Sequence, residues 1–116
     1  MKLVRDKIPE LHATGLLGPH PSGVDRNRQV FRKATPEEYR LLLYVKLAEE
    51  VGEIVSAMTH EQRMSEIGDL EDLIYAIKVF EGHCAADVER RFIKSRDFGR
   101  FTEGWILEWK PEADDV

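Results

Sequence analysis

Two acidic clusters carry the chemistry open to this chain. Glu49, Glu50 and Glu53 lie in Lys46-Leu47-Ala48-Glu49-Glu50-Val51-Gly52-Glu53, and a second cluster follows in Glu66-Ile67-Gly68-Asp69. A helix advances about 100° per residue. From Leu41 to Met58 the only charged residues are Lys46, Glu49, Glu50 and Glu53, and they share one sector of roughly 100° on a helical projection. Leu43, Leu47, Val51, Ile54, Val55 and Met58 fill the sector beside it, with Leu41 and Val45 extending it. A helix so apolar is packed on more than one side, so its charged stripe is expected to face a cavity. Three carboxylates in one stripe repel one another unless a cation or a proton compensates them.

The second cluster is placed more awkwardly. Ile67, Leu70, Leu73, Ile74, Ile77 and Phe80 project as one apolar face, with Glu66 in its middle and Asp69 at its edge. A carboxylate on a core face is costly unless it is paired, protonated or bound to metal. Glu50 and Glu53, like Glu66 and Asp69, are three apart and point the same way. Two such pairs from neighbouring helices would offer about four oxygen ligands, a set that suits Mg²⁺ or Mn²⁺ and not zinc. The plainer reading of an EExxE stretch alone is a solvated helix face; the second acid pair on a core face favours metal.

The elements that must position these acids are legible in the chain. Thr35-Pro36-Glu37-Glu38 combines an N-cap, a proline at the first helical position and a capping-box glutamate. It starts a helix expected to reach about Met58. Thr59-His60-Glu61-Gln62 repeats the pattern and starts a second helix ending near Gly82. The short break between them predicts an antiparallel hairpin with the clusters side by side. A short helix is expected over Ile8 to Thr14, and Gly15 to Gly23, rich in glycine and proline, reads as a loop. His12 and His20 have no metal-ligand spacing and read as surface residues. A third helix is expected over Ala85 to Ser95. Gln29 to Ala34 and the alternating Trp105 to Trp109 read as short strands that could pair with each other. Lys110 to Val116 reads as a frayed polar tail.

Composition sets the frame. The chain has 116 residues, 42% hydrophobic and 34% charged, with a net charge of −5. That length predicts one domain, 1–116, of mainly α class. Helices apolar nearly all round need more burial than one copy provides, so a homodimer or homotetramer is expected. The acidic balance argues against general nucleic-acid binding. The single Cys84 fits a reducing cytoplasm. No signal peptide or membrane span is visible.

Glu49-Glu50-Val51-Gly52-Glu53 followed by Glu66-Ile67-Gly68-Asp69 resembles the EExxE and ExxD motifs of the all-α NTP pyrophosphatase superfamily, the MazG-like proteins and phosphoribosyl-ATP pyrophosphohydrolase. The opening Lys2-Leu3-Val4-Arg5-Asp6-Lys7-Ile8-Pro9 is similar to one MazG-like subgroup, as are Glu38-Tyr39 before Lys46 and the closing Lys94-x-Arg96 with Phe101, Gly104 and Leu107. The resemblance spans nearly the whole chain. It implies a MazG-like antiparallel bundle assembled by oligomerisation. It also implies Mg²⁺-dependent hydrolysis of a nucleoside triphosphate to the monophosphate and pyrophosphate, with Mn²⁺ as an alternative ion. By resemblance, Glu50, Glu53, Glu66 and Asp69 would bind the metal and Glu49 would orient or deprotonate the attacking water. Lys46, Lys94 and Arg96 would hold phosphates, with Arg5 and Lys7 behind them; for each the plain alternative is a surface charge. The sequence departs from the family where Arg96-Asp97-Phe98-Gly99-Arg100-Phe101 shifts a glycine and adds an acid. Two further readings are a phosphoribosyl-ATP pyrophosphohydrolase and a helical oligomer that binds nucleotides or a partner without catalysis.

Overall fold

The computed structural model describes residues 1–23 and 25–112 and is helical, with no strand among the described residues. Its helices are α1 (Ile8–Ala13), α2 (Pro36–Ser56), α3 (His60–Glu81) and α4 (Ala85–Phe98), with a 3₁₀ turn at Arg26–Arg28. The chain forms two compact units, Met1–Gly82 and His83–Val116.

Local chemistry sets the ends of the two long helices in the first unit. Thr35 Oγ1 accepts from the Glu38 backbone N–H at 3.2 Å, and the Glu38 carboxylate accepts from the Thr35 N–H at 3.0 Å. Arg32 donates to both Glu38 oxygens, at 2.8 and 2.6 Å. That guanidinium, with the Thr35 N–H, pulls the Glu38 carboxyl down to about 2. Thr59 and Gln62 form the second capping box. Gln62 also accepts from the Met58 N–H, and Arg63 donates to the Ala57 carbonyl, closing the tight connection between the helices. Gly82 ends α3 at φ 79°, a left-handed conformation where a side chain would be strained.

Helices α2 and α3 pack against each other as the expected antiparallel hairpin. Tyr44, early in α2, donates to Glu81 at the end of α3, at 2.7 Å, while Glu50 and Glu53 meet Glu66 near the other end. Tyr39 packs edge-on against Phe80, with ring centres 5.4 Å apart. Leu43 and Leu73 are the buried apolar residues of the described chain, and Glu50 is its buried charged residue. Leu43 and Glu50 are seven residues apart, as are Glu66 and Leu73, so each pair lies on one helix face two turns apart. One layer of the seam is therefore leucine and another is carboxylate.

The second unit contains α4. Its N-cap is Cys84, whose backbone N–H donates to Asp87 at 3.0 Å. This bond and Arg90 lower the Asp87 carboxyl to about 2. The helix runs past the expected Ser95 to Phe98, because the first residue that breaks it is Gly99 at φ 81°. The expected two-stranded element is corrected: residues 29–34 and 105–109 form no strand. Trp105, Ile106, Leu107 and Trp109 are all exposed. Alternation specifies a strand only where one face is buried and a ladder partner takes the backbone groups.

Candidate metal centre

Glu50 and Glu53 on α2 and Glu66 on α3 each offer a carboxylate oxygen, and these oxygens lie within 4.8 Å of one another. Their spacing follows from the sequence. Glu50 and Glu53 share a helical face, and Glu66 projects from the apolar face of α3 that packs on it. Glu50 is 5% exposed. Its Oε1 lies 3.8 Å from Lys46 Nζ, one turn earlier on α2, while its Oε2 is buried without a hydrogen-bond partner. A buried acceptor left unmade costs ~1–3 kcal/mol, and more when charged. Sharing a hydrogen bond with Glu53 and then with Glu50 favours the protonated Glu66 carboxyl, and with desolvation and the nearby negative charges this pushes it up to about 7.

Asp69 lies beside this trio but is engaged differently. Arg5 reaches across from the N-terminal segment and donates to Asp69 at 2.5 Å and to Asp72 at 2.9 Å. The paired carboxylates raise the guanidinium pKa, Asp72 most strongly. Asp72 was not among the expected site residues. Its spacing of three from Asp69 extends the Glu66–Asp69 periodicity by another turn and would have revealed it.

The other expected residues divide clearly. Lys46 and Arg5 line a groove of about 480 Å³ that also reaches Glu50, Asp69 and Asp72. Glu49 is exposed and stands outside the trio, and Lys7 is an exposed residue at the N-cap of α1. Lys94 and Arg96 belong to α4 in the second unit, where Arg96 is paired with Asp97 at 2.8 Å. The groove floor includes Tyr39, Leu43, Leu73 and Ala76, and its wall includes Gln29 and Phe31. The neighbouring His12 is half-buried, 2.5 Å from the Arg26 carbonyl and packed on Phe31. Sequence spacing could not expose these tertiary roles.

The donor set suits a hard divalent cation. It consists of carboxylate oxygens from two facing helices, one of them buried and unsatisfied, with a proton-binding carboxyl among them. No family model matches this chain, and no curated protein or solved structure matches it either. No helix of the described residues is long and apolar enough to cross a membrane.

Proposed function

We propose that this protein is a Mg²⁺-dependent nucleoside triphosphate pyrophosphohydrolase of MazG-like type, splitting its substrate into the monophosphate and pyrophosphate. The observation that carries this reading is Glu50: a buried carboxylate with an unpartnered oxygen, facing Glu53 and Glu66. Glu50, Glu53 and Glu66 would hold the cation, with Asp69 joining when Arg5 releases it. Bound there, the ion would neutralise phosphate charge and acidify a bound water. Glu49, exposed beside the trio, would take the proton of the attacking water. The water oxygen then bonds to the α-phosphorus as the bridge to the β-phosphate breaks, and pyrophosphate leaves. Lys46 and Arg5 flank the acids in the groove and would bind the phosphate oxygens. The motif resemblance supports the same reaction.

The same reading makes the working form a homo-oligomer. Leu41, Val45, Ala48, Gly52 and Val55 project as one stripe of α2, and all are exposed in the single chain. A second copy would cover this stripe.

The deciding experiment is pyrophosphate release from a panel of nucleoside triphosphates with Mg²⁺, Mn²⁺ or EDTA. Metal-dependent release supports the reaction. If no triphosphate is cleaved while phosphoribosyl-ATP is, the chemistry stands and the substrate does not. If neither is cleaved and Mn²⁺ fails to bind, the metal reading is wrong.

A further inference from the structure

The groove beside the acids is larger than a metal and its phosphates require. Its volume of about 480 Å³ lies within the ~300–1,000 Å³ usual for small-molecule sites. Its acidic end holds Glu50, Asp69 and Asp72; Phe31, Tyr39, Gln29 and apolar residues of α2 and α3 line it further, together with the N-terminal segment and the polar side chains of His20 and Arg26. A flat apolar body with a polar edge matches such a surface: aromatic side chains take the body and a carboxamide both donates and accepts at the edge. The neighbouring groove of about 940 Å³ does not reach Glu50 or Asp69.

The wall carrying Gln29 and Phe31 is built to hold its shape. Beyond the 3₁₀ turn it has no regular structure, yet it is tied at several points. The Arg26 carbonyl meets His12 Nε2 at 2.5 Å, and Arg26 Nε donates to the Gly18 carbonyl at 2.5 Å. Arg26 also donates to Gln29 Oε1 at 3.4 Å. Phe31 packs against His12, with ring centres 5.0 Å apart. A wall fixed in advance loses little freedom when a ligand arrives, as a selective site requires.

We propose that this groove is the nucleoside subsite, with the base seated beside Phe31 and its polar edge read by Gln29. The inference rests on the nucleotide reading above and adds where the base lies and which residue selects it. Lys46 and Arg5 then lie on the phosphate side of the groove, toward Glu50.

The test uses the full chain with Mn²⁺ and α,β-imido nucleoside triphosphates of the four bases, which cannot be cleaved between those phosphates. Inorganic tripolyphosphate serves as the ligand without a base. Calorimetry gives the Kd of each for the wild type, Gln29→Leu, Gln29→Glu and Phe31→Leu, with circular dichroism confirming the helices. The wild type should bind at least one nucleotide more tightly than tripolyphosphate. Both Gln29 variants should change the ratio of affinities among bases by about tenfold, the value of one hydrogen bond. Phe31→Leu should weaken all four nucleotides, and Mn²⁺ and tripolyphosphate should bind every variant as they bind the wild type. Wild-type nucleotide binding whose base preference ignores all three substitutions overturns the subsite and leaves the nucleotide reading intact. Mn²⁺ binding with no nucleotide bound overturns that reading, and the subsite with it.

Discussion

Glu50 and Glu66 hold the same functional group in opposite circumstances. Glu50 is buried with one oxygen near Lys46 and the other unsatisfied, whereas Glu66 is half-exposed and raised to about 7 by its acidic neighbours. Glu50→Gln keeps the shape and removes the charge. It should weaken Mn²⁺ binding by more than the ~10–100-fold that follows losing a residue that only supports a ligand, without destabilising the metal-free protein. Titration calorimetry and urea unfolding in EDTA read the two effects; a large stability loss with unchanged Mn²⁺ affinity would make Glu50 structural. Glu66 gives a pH signature. Its folded value of about 7 lies above the ordinary 4.5, so between these values the folded chain keeps a proton that the unfolded chain has released. Stability in EDTA is then highest below about pH 4.5 with respect to this group, falls as pH rises through 7, and levels off above. Thermal unfolding from pH 5 to 8 should show this fall, and Glu66→Gln should remove it. A wild-type profile that rises across the range is the contrary result.

Helix ends and acid spacings were legible because they are local. Thr35-x-x-Glu38 and Thr59-x-x-Gln62 each close a capping box within four residues of sequence, and both formed. The i,i+3 rule also put Glu50 and Glu53 on one face. The Arg5 bridge to Asp69 and Asp72 spans more than sixty residues, and no spacing rule reaches that far. For Trp105 to Trp109 the alternation was real but had neither a buried face nor a ladder partner, so it gave no strand. The Thr59 cap supplies a prediction at this scale. Thr59→Ala removes the acceptor for the Gln62 N–H and should cost about 1 kcal/mol in urea unfolding. Because the acids lie further along α3, Mn²⁺ affinity should be unchanged. A loss of Mn²⁺ binding in a folded variant would show that the turn sets the register of the centre.

One copy leaves much of its apolar surface uncovered. Leu41 is 62% exposed and Val55 81%, on the same stripe of α2. That stripe also contains Gly52, inside a helix where glycine costs ~1 kcal/mol relative to alanine. Apart from its own helix backbone and chain neighbours, no atom of the described residues lies within 4 Å of where a Gly52 Cβ would stand, so packing among them does not account for the glycine. Close approach of a second copy's helix would account for both the glycine and the bare stripe. The two situations give opposite signs for one substitution. If the stripe faces water, Gly52→Ala should stabilise the protein by up to ~1 kcal/mol and leave its mass in solution unchanged. If a partner helix closes on it, the added methyl should weaken association, and light scattering should show the oligomer giving way to single chains as the sample is diluted. Val55→Lys should do the same more strongly while α2 stays helical. A wild-type protein that scatters as one chain at every concentration, with Gly52→Ala more stable, would leave the stripe as solvent-facing surface.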